Sequence, residues 1–294
     1  MRKEIVWAIV AGILFGLVIT FGVVRVNSTL KPKGESTTPS STPESAIPEF
    51  KIALNKPENE DVIIQDSVAV SGITKPNALI AISGEEGDYI LKSDEKGLFE
   101  EEVDLISGVN QIKITAFDPT GAQSIEKVLV VYSSAFEEKE GDRLEKAANK
   151  PKAYLGTVTD ITDSTIQIRT TSSEIRQISV GNDTSVVKTD PTSKVVKLTD
   201  IAIGDFIVAM GYKNGNQVLS AQRILITPAV TEPKISVTMG KGADITPTKN
   251  TSVFLFKDGK VTKAKATSIE DESQVIYVTT EEAEKSSIRT IFLI

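Results

Sequence analysis

The sequence predicts a mainly β protein that is held at a membrane by one N-terminal helix. Three observations lead to this prediction. Residues 5–24 form an apolar run without a charge, and from residue 50 onward apolar and polar residues alternate in short segments broken by Gly, Pro, Asn and Asp. The C-terminal part also repeats itself. With 294 residues, the chain is long enough for two or three domains.

The apolar run begins at Ile5 and ends at Val24. In a helix that rises about 1.5 Å per residue, it just spans a hydrocarbon core of about 30 Å. A cleaved signal peptide is the alternative, but its apolar region is usually shorter and a small-residue cleavage site normally follows it. We expect a single-pass cell-membrane anchor with residues 1–4 in the cytoplasm and the bulk outside, because so few residues precede the span.

One face of this helix carries small residues. Ala8, Gly12 and Gly16 recur every four residues and therefore share a face. Such a flat face could let a second helix approach closely, which would give a helix–helix dimer in the membrane. Glycine is common in membrane helices, so a face without this role is the alternative.

Residues 25–49 are predicted to be a disordered stalk. The stretch 27–48, NSTLKPKGESTTPSSTPESAIP, is rich in Ser, Thr and Pro and has few large apolar residues. It cannot bury enough surface to order itself. Asn27 begins an Asn-Ser-Thr acceptor, so a glycosylated stalk is an alternative in a host that carries out this modification.

The composition excludes several function classes. The chain has no Cys and no His, which removes disulfides, Cys nucleophiles, most zinc sites and the commonest general base. A net charge of −7 repels nucleic acid, and the 5% of aromatic residues offers little for base stacking. We predict no catalytic residue, no cofactor and no metal site.

Residues 50–133 are predicted to form a β-sandwich. Short segments with period-two alternation follow one another in the way that is typical of an antiparallel immunoglobulin-like domain. The seven predicted strands are 50–54, 67–73, 79–83, 89–92, 99–105, 111–117 and 126–131.

This region resembles the bacterial immunoglobulin-like domains of surface proteins and extracellular glycosidases. The residues that carry the resemblance are Gly72, Pro76, Gly97, Phe99, Val103, Leu105, Gly108, Asn110, Ala116, Asp118 and Gly121. Gly97 and Gly121 suit turn positions with positive φ. We expect Asn110 to hydrogen-bond the nearby backbone, and we expect the core to contain Phe99, Val103 and Leu105. None of these roles requires a ligand.

Acidic residues in this domain have two interpretations. Calcium could be held by oxygens of Glu85, Glu86, Asp88, Asp94 and Asp118, but their spacing does not match an EF-hand loop. Solvated turns are the simpler interpretation. Residues 100–102 are three glutamates, which suggest a protected edge strand rather than a catalytic pair.

A charged linker, residues 134–152, leads to two related β units, 153–228 and 234–294. Residues 166–186 align with 235–253 and share a closing Thr-Ser-Val, and residues 199–226 align with 267–294. We therefore expect two tandem small barrels, of which the second is a diverged copy. Pro151 ends the linker, which could also contain a short exposed helix.

The first unit resembles a bacterial family of small OB-like barrels without an assigned function. The residues that carry this resemblance are Gly156, Val158, Ile161, Ile166, Ile168, Gly204, Asp205, Ala221, Arg223 and Ile224. OB-like barrels often bind oligonucleotides or oligosaccharides through one face. No basic or aromatic face is evident in this sequence.

Local turns in the repeated part are explained without a ligand. Gly204-Asp205 suits a tight turn into a buried strand at 206–210, and Asn214-Gly215 favours a two-residue hairpin. The string Met239-Gly240-Lys241-Gly242 lacks the spacing of a phosphate-binding loop.

The sequence therefore favours a non-enzymatic envelope protein that displays β-domains for binding, adhesion or structural support. Its partner, an envelope polymer or a surface protein, is not specified. One alternative is an enzyme or accessory subunit that acts on envelope polymers through paired carboxylates. The other is a membrane-anchored scaffold of an assembly or secretion machine.

Overall fold

The structure, a computed structural model, describes residues 50–136, 149–230, 234–282 and 285–294. All of them belong to one compact unit, Glu49–Ile294. The predicted anchor, the face formed by Ala8, Gly12 and Gly16, and the stalk lie outside the described residues, as does most of the linker. Within the described ranges no helix is both long enough and apolar enough to cross a membrane.

The described chain is built from strands, which confirms the mainly β prediction. Alternating apolar residues form the strands because one face of each is buried. The strands are β1 (Ala53–Lys56), β2 (Asp61–Ile63), β3 (Ser67–Ile73), β4 (Leu79–Ser83), β5 (Asp88–Lys92), β6 (Leu98–Asp104), β7 (Gly108–Phe117), β8 (Gln123–Tyr132), β9 (Lys152–Ile161), β10 (Thr165–Arg169), β11 (Ile175–Ser179), β12 (Ser185–Lys188), β13 (Lys194–Val196), β14 (Phe206–Lys213), β15 (Leu219–Ile226), β16 (Ile235–Lys241), β17 (Ser252–Lys257), β18 (Lys260–Lys263), β19 (Gln274–Glu282) and β20 (Lys285–Leu293). Short 3-10 turns occur at Leu198–Asp200, Gly242–Asp244 and Ala266–Ser268.

Strands β1 to β8 form a sandwich of two sheets. One sheet has the order β1-β3-β6 and the other β2-β8-β7-β4-β5, with β2 and β8 parallel. Strands β3 and β4 have the predicted bounds, whereas β2 was not predicted. The sandwich core lies between the two sheets and contains Ile52, Val70, Ile80, Ile82, Phe99, Val103, Leu105, Ile112, Ile114, Ala116, Val128 and Val130.

The predictions for the turn glycines, for Asn110 and for the strand with three glutamates are confirmed. Gly97 and Gly121 have φ of 81° and 86°. The fully buried Asn110 accepts a hydrogen bond from the Ile106 N–H at 2.8 Å and donates to the Ile106 and Gly108 carbonyls. Strand β6, which carries the three glutamates, lies at the edge of its sheet.

The first repeat closes into a ring of five strands. Strand β9 pairs with β10 and β14, β10 with β11, β11 with β15, and β15 with β14. Strands β12 and β13 extend from β15 beside this ring. The predicted buried strand after Gly204 is β14, whose first seven residues are all buried. Gly204 has a φ of 97°, as its turn requires.

The second repeat differs from the predicted barrel. Its described strands pair in an open order, β16-β19-β20-β17-β18. The predicted alignment of β10 with β16 is wrong. Strand β16 pairs with β19, and in the first repeat the strand that pairs with β14 in the same way is β9, so β16 is equivalent to β9. Alternation of apolar and polar residues identifies a strand but not the strand with which it pairs, so it cannot distinguish an equivalent of β9 from an equivalent of β10.

A hairpin joins β14 and β15 as predicted, but the two-residue turn predicted at Asn214-Gly215 is wrong. Strand β14 ends at Lys213 and β15 begins at Leu219, and the residue with positive φ in this loop is Gln217. The Asn214 side chain accepts hydrogen bonds from the N–H groups of Asn216 and Val218, which favours the wider loop. A two-residue turn occurs instead between β17 and β18, at Asp258 and Gly259, which have φ of 51° and 74°.

Candidate functional site

The acidic residues that could in principle supply calcium ligands do not come together. Among the described residues no group of three or more Asp, Glu, His or Cys side chains could hold a metal ion. Asp94 lies in a turn, where its Oδ1 accepts hydrogen bonds from the N–H groups of Lys96 and Leu98 at 2.8 Å. Glu86 is exposed and Glu85 is half-buried.

Asp118 is buried rather than solvated, which corrects the sequence interpretation. Its Oδ2 lies 2.8 Å from the ammonium of Lys75, and its Oδ1 accepts hydrogen bonds from the Thr120 hydroxyl and from the N–H groups of Thr120 and Ala122. These donors, with Lys75 first, hold the pKa of Asp118 well below its usual range. The carboxylate therefore fixes a turn.

Asp88 is also buried, and it joins the second repeat to the sandwich. Its side chain is 1% exposed and forms an ion pair with the guanidinium of Arg289. Its Oδ2 accepts hydrogen bonds from Arg289 Nε at 2.9 Å and from the Thr290 hydroxyl at 2.6 Å. Arg289 also donates to the Gly84 carbonyl at 3.1 Å. A solvated turn was predicted here, whereas the structure contains a buried junction.

Apolar side chains surround this junction. The cluster consists of Ala81, Ile90, Phe117, Ile235, Val237, Phe256, Ile276, Val278 and Phe292, with Leu79, Met239 and Phe254 packed against it. The first four strands of the open sheet therefore cover one face of the β4-β5-β7 part of the sandwich. Lys113 adds a hydrogen bond from its ammonium to the Ile235 carbonyl at 2.7 Å.

The first repeat packs against the other end of the same sandwich sheet. This second cluster consists of Val62, Val131, Phe136, Ala153, Phe206, Val208, Met210 and Tyr212. Phe136, just after the sandwich, contacts Tyr212 with ring centroids 6.3 Å apart. A single backbone pair between Asp61 and Lys152 makes β2 and β9 neighbours in one continuous sheet.

Ion pairs line the junction between the sandwich and the first repeat. Lys152 Nζ lies 2.7 Å from Asp61 and 2.8 Å from Glu58, and Lys150 lies 3.0 Å from Glu58. The hydrogen bonds from Lys152 and then Lys150 lower the pKa of Glu58 to about 2. Arg176 forms an ion pair with Glu60.

Tyr154 lies beneath two cations at the same junction. The guanidinium of Arg176 and the ammonium of Lys213 lie 4.7 and 4.8 Å from its ring centroid. Its hydroxyl donates to the Gln217 carbonyl at 2.7 Å. No local sequence pattern identifies this group, because its members are far apart in the chain.

Two openings lie where the sandwich meets the second repeat. A cleft of about 240 Å³ between the sandwich and the second repeat is lined by Asn59, Gln111, Ile112, Lys113, Lys127, Val128, Leu129 and Ile235. A groove of about 310 Å³ lies between the β5–β6 corner of the sandwich and the β17–β18 hairpin, and is lined by Asp88, Tyr89, Ile90, Leu91, Glu101, Phe254, Gly259, Val261 and Phe292.

Glu101 is the unusual group of this groove. It alternates with the buried Phe99 and Val103 along β6, so it lies on the core side of the strand. Burial, followed by the neighbouring Glu102, raises its pKa. Burial also raises the pKa of Tyr89 to about 12. The other carboxylate that lines this groove, Asp88, is paired with Arg289.

No protein-family model matches the chain, and no curated protein is similar to it in sequence. Among solved structures, a tetra-tandem repeat from the extending region of a large adhesion protein is 13% identical, with 82% of this chain and 72% of that chain covered and a TM-score of 0.23. A Ca²⁺-stabilized adhesin with which an Antarctic bacterium binds ice is 14% identical, with 81% and 73% covered and a TM-score of 0.21. A third, from a 1.5-MDa bacterial ice-binding adhesin, is 10% identical, with 83% and 95% covered and a TM-score of 0.21. TM-scores of this size do not indicate a shared fold, and nothing about ice or calcium follows from them for this chain.

Proposed function

We propose that this protein is a non-enzymatic, single-pass cell-envelope protein that displays a rigid β head for binding, adhesion or structural support. The observation that carries the proposal is the way the two repeats pack. The first repeat covers part of one sandwich sheet with the outer face of β14. The second repeat covers another part of the same sheet with the corresponding face of β19. Two such junctions fix the described domains as one body rather than a flexible string.

The distribution of buried carboxylates supports a role without catalysis. Asp88 is neutralised by Arg289 and Asp118 by Lys75. A glycosidase needs two carboxyl groups that face one substrate. Asp88 and Asp118 thus have structural roles that account for their positions.

The finer fold assignments belong to the same proposal. We assign residues 50–133 to an immunoglobulin-like sandwich, 153–228 to an OB-like barrel and 234–294 to a diverged copy. The ring order β9-β10-β11-β15-β14 supports the barrel assignment, since a five-stranded closed barrel has few possible orders. We place residues 5–24 in the membrane and residues 25–49 in a stalk.

Protease treatment of intact cells tests the proposal, with an epitope tag after Ile294 and subsequent fractionation. We expect the protein in the membrane fraction and the tag to be lost without lysis, while a tagged cytoplasmic protein remains intact. A tag that stays protected on a membrane-bound protein would contradict outward display and favour the assembly-scaffold alternative. A protein found in the soluble fraction would contradict the anchor.

A further inference from the structure

The two repeats contain equivalent edge hairpins that both carry lysines. Strand β12 pairs with β15 in parallel, with Ser185 opposite Arg223, and β17 pairs with β20 in the same way, with Ser252 opposite Thr290. Strands β13 and β18 then pair with β12 and β17 and end their sheets. Each repeat thus presents one two-stranded edge.

Lysines lie directly opposite each other in both hairpins. Lys188 faces Lys194 in the first hairpin, and Lys257 faces Lys260 in the second. Like charges in directly opposite positions destabilise a sheet. All four side chains are exposed, and none makes an ion pair with another described residue. Stability of the fold therefore does not explain why the arrangement occurs twice.

The second hairpin concentrates this charge. Lys263 and Lys265 are also exposed and make no ion pair within the described ranges. Between residues 257 and 265 the one acidic side chain is Asp258, at the tip. We call Lys257, Lys260, Lys263 and Lys265 the lysine ridge. These lysines are a local excess of positive charge along one hairpin of a chain whose net charge is −7.

We propose that the lysine ridge binds a flexible polyanion rich in phosphate groups. Lysine ammonium groups bind phosphate as compact point charges, and each polymer phosphate that replaces a bound counterion adds favourable entropy. The equivalent hairpin of the first repeat, with Lys188 and Lys194, would form a second and weaker contact. Two contacts on one rigid head raise the affinity for a long polymer more than for a short one.

The shape of the ridge favours a polymer over a membrane surface. Lys263 shares a face with Phe254 and Val261, whereas Lys257 and Lys260 lie on the opposite face of the hairpin. A flat bilayer contacts one face, but a flexible chain can wrap both. The exposed apolar residues of the hairpin are Leu255 and Val261. Neither is aromatic, whereas proteins are commonly anchored at a membrane interface by Trp and Tyr.

This inference adds a class of partner to the proposed function. It rests on that function only for the side of the membrane on which the protein encounters the polymer. The test is titration of the purified full chain, in a neutral detergent, with long-chain linear polyphosphate. Each lysine near an anionic surface strengthens binding about fivefold, so K257Q/K260Q/K263Q should weaken the affinity roughly 100-fold. The slope of log affinity against log salt should fall by about two.

The matched control is K56Q/K92Q/K96Q, which removes the same charge from three exposed sandwich lysines. We expect it to change the affinity less than threefold or so, and we expect K257R/K260R/K263R to bind polyphosphate like the unaltered protein. An equal loss in the control would overturn the proposal, since general charge would then explain binding. So would the absence of polyphosphate binding, or ridge-dependent binding to phosphatidylglycerol vesicles alone. None of these outcomes depends on the orientation in the membrane, so the protease test can fail separately.

Discussion

The guanidinium of Arg289 donates two hydrogen bonds to the carboxylate of Asp88, which lies 201 residues earlier in the chain. The pair joins β20 of the second repeat to β5 of the sandwich. Since Asp88 is 1% exposed, its charge would be very unfavourable without this partner. The last strand of the chain is thereby held against the first domain.

Removing the cation should release this junction. We expect Arg289→Met to lower the free energy of unfolding by about 3 kcal/mol, because among the described residues it leaves the buried carboxylate with the Thr290 hydroxyl as its one side-chain partner. Urea denaturation measures this change, and hydrogen exchange should show faster exchange in β20. Lys241→Met removes the exposed pair between Lys241 and Glu272 and should change stability by at most about 1 kcal/mol. Equal effects of the two variants would contradict a structural role for the buried pair.

Glu101 should make stability depend on pH. The ordinary pKa of this carboxyl group is 4.5, and burial raises it in the folded protein. The folded state therefore holds the proton more tightly, so this group favours folding fully below pH 4.5 and loses that contribution as pH rises through the raised pKa. We expect Glu101→Gln to be more stable than the unaltered protein at pH 7, with the difference vanishing below pH 4.

Urea midpoints measured from pH 3 to 8 check this prediction. Glu100→Gln is the control, because Glu100 is exposed on the outer face of the same strand. It should shift the midpoint at pH 7 much less than Glu101→Gln does. If Glu101→Gln were less stable than the unaltered protein at pH 7, the carboxylate would have to make a favourable contact instead of a buried, unfavourable one.

Much of the sandwich follows from sequence because its signals are local. Alternation along β6 places Phe99 and Val103 in the core, and the short reach of an Asn side chain explains the role of Asn110. The same alternation places Glu101 on the core side of β6. The interpretation of the three glutamates as an edge strand did not take this side-chain direction into account. An edge strand and an inward glutamate are compatible, since the strand position and the side-chain direction are separate properties.

The junctions could not be predicted in this way. Asp88 has the sequence context of an acidic turn, and nothing near it identifies Arg289 as its partner. The charged group around Tyr154 likewise combines residues from the sandwich and from three strands of the first repeat. Long-range pairing of this kind is determined by packing of whole sheets, for which a single sequence contains no local pattern.

The Thr-Ser-Val signature of the repeats has a shared physical basis that can be tested. Thr184 Oγ1 accepts a hydrogen bond from the Gly181 N–H at 2.9 Å and donates to the Ala221 carbonyl at 3.0 Å. Thr251 Oγ1 accepts from the Thr248 N–H at 2.9 Å and donates to the Ile288 carbonyl at 2.8 Å. The two hydroxyls close equivalent turns onto equivalent strands.

We expect Thr184→Val and Thr251→Val each to lower stability by about 1 to 2 kcal/mol, because each removes at least two hydrogen bonds without changing the shape of the side chain. The corresponding serine variants, which keep the hydroxyl, should lose less than half as much. Thermal and urea unfolding of all four variants provide the measurement. A loss in one copy alone would argue against the equivalence of the two turns.

Close contact between strands at Gly156 should also limit substitution in the first repeat. A Cβ at this position would lie 2.3 Å from the carbonyl oxygen of Arg169, which is backbone and cannot rotate away. We expect Gly156→Ala to lower the free energy of unfolding by about 2 kcal/mol or more. Gly215→Ala is the control, because a Cβ there meets nothing within 4 Å, and its effect should stay within about 0.5 kcal/mol. Gly156 lies on β9 and Arg169 on β10, so a tolerated Gly156→Ala would mean that these strands lie farther apart. The ring order that supports the barrel assignment would then have to be revised.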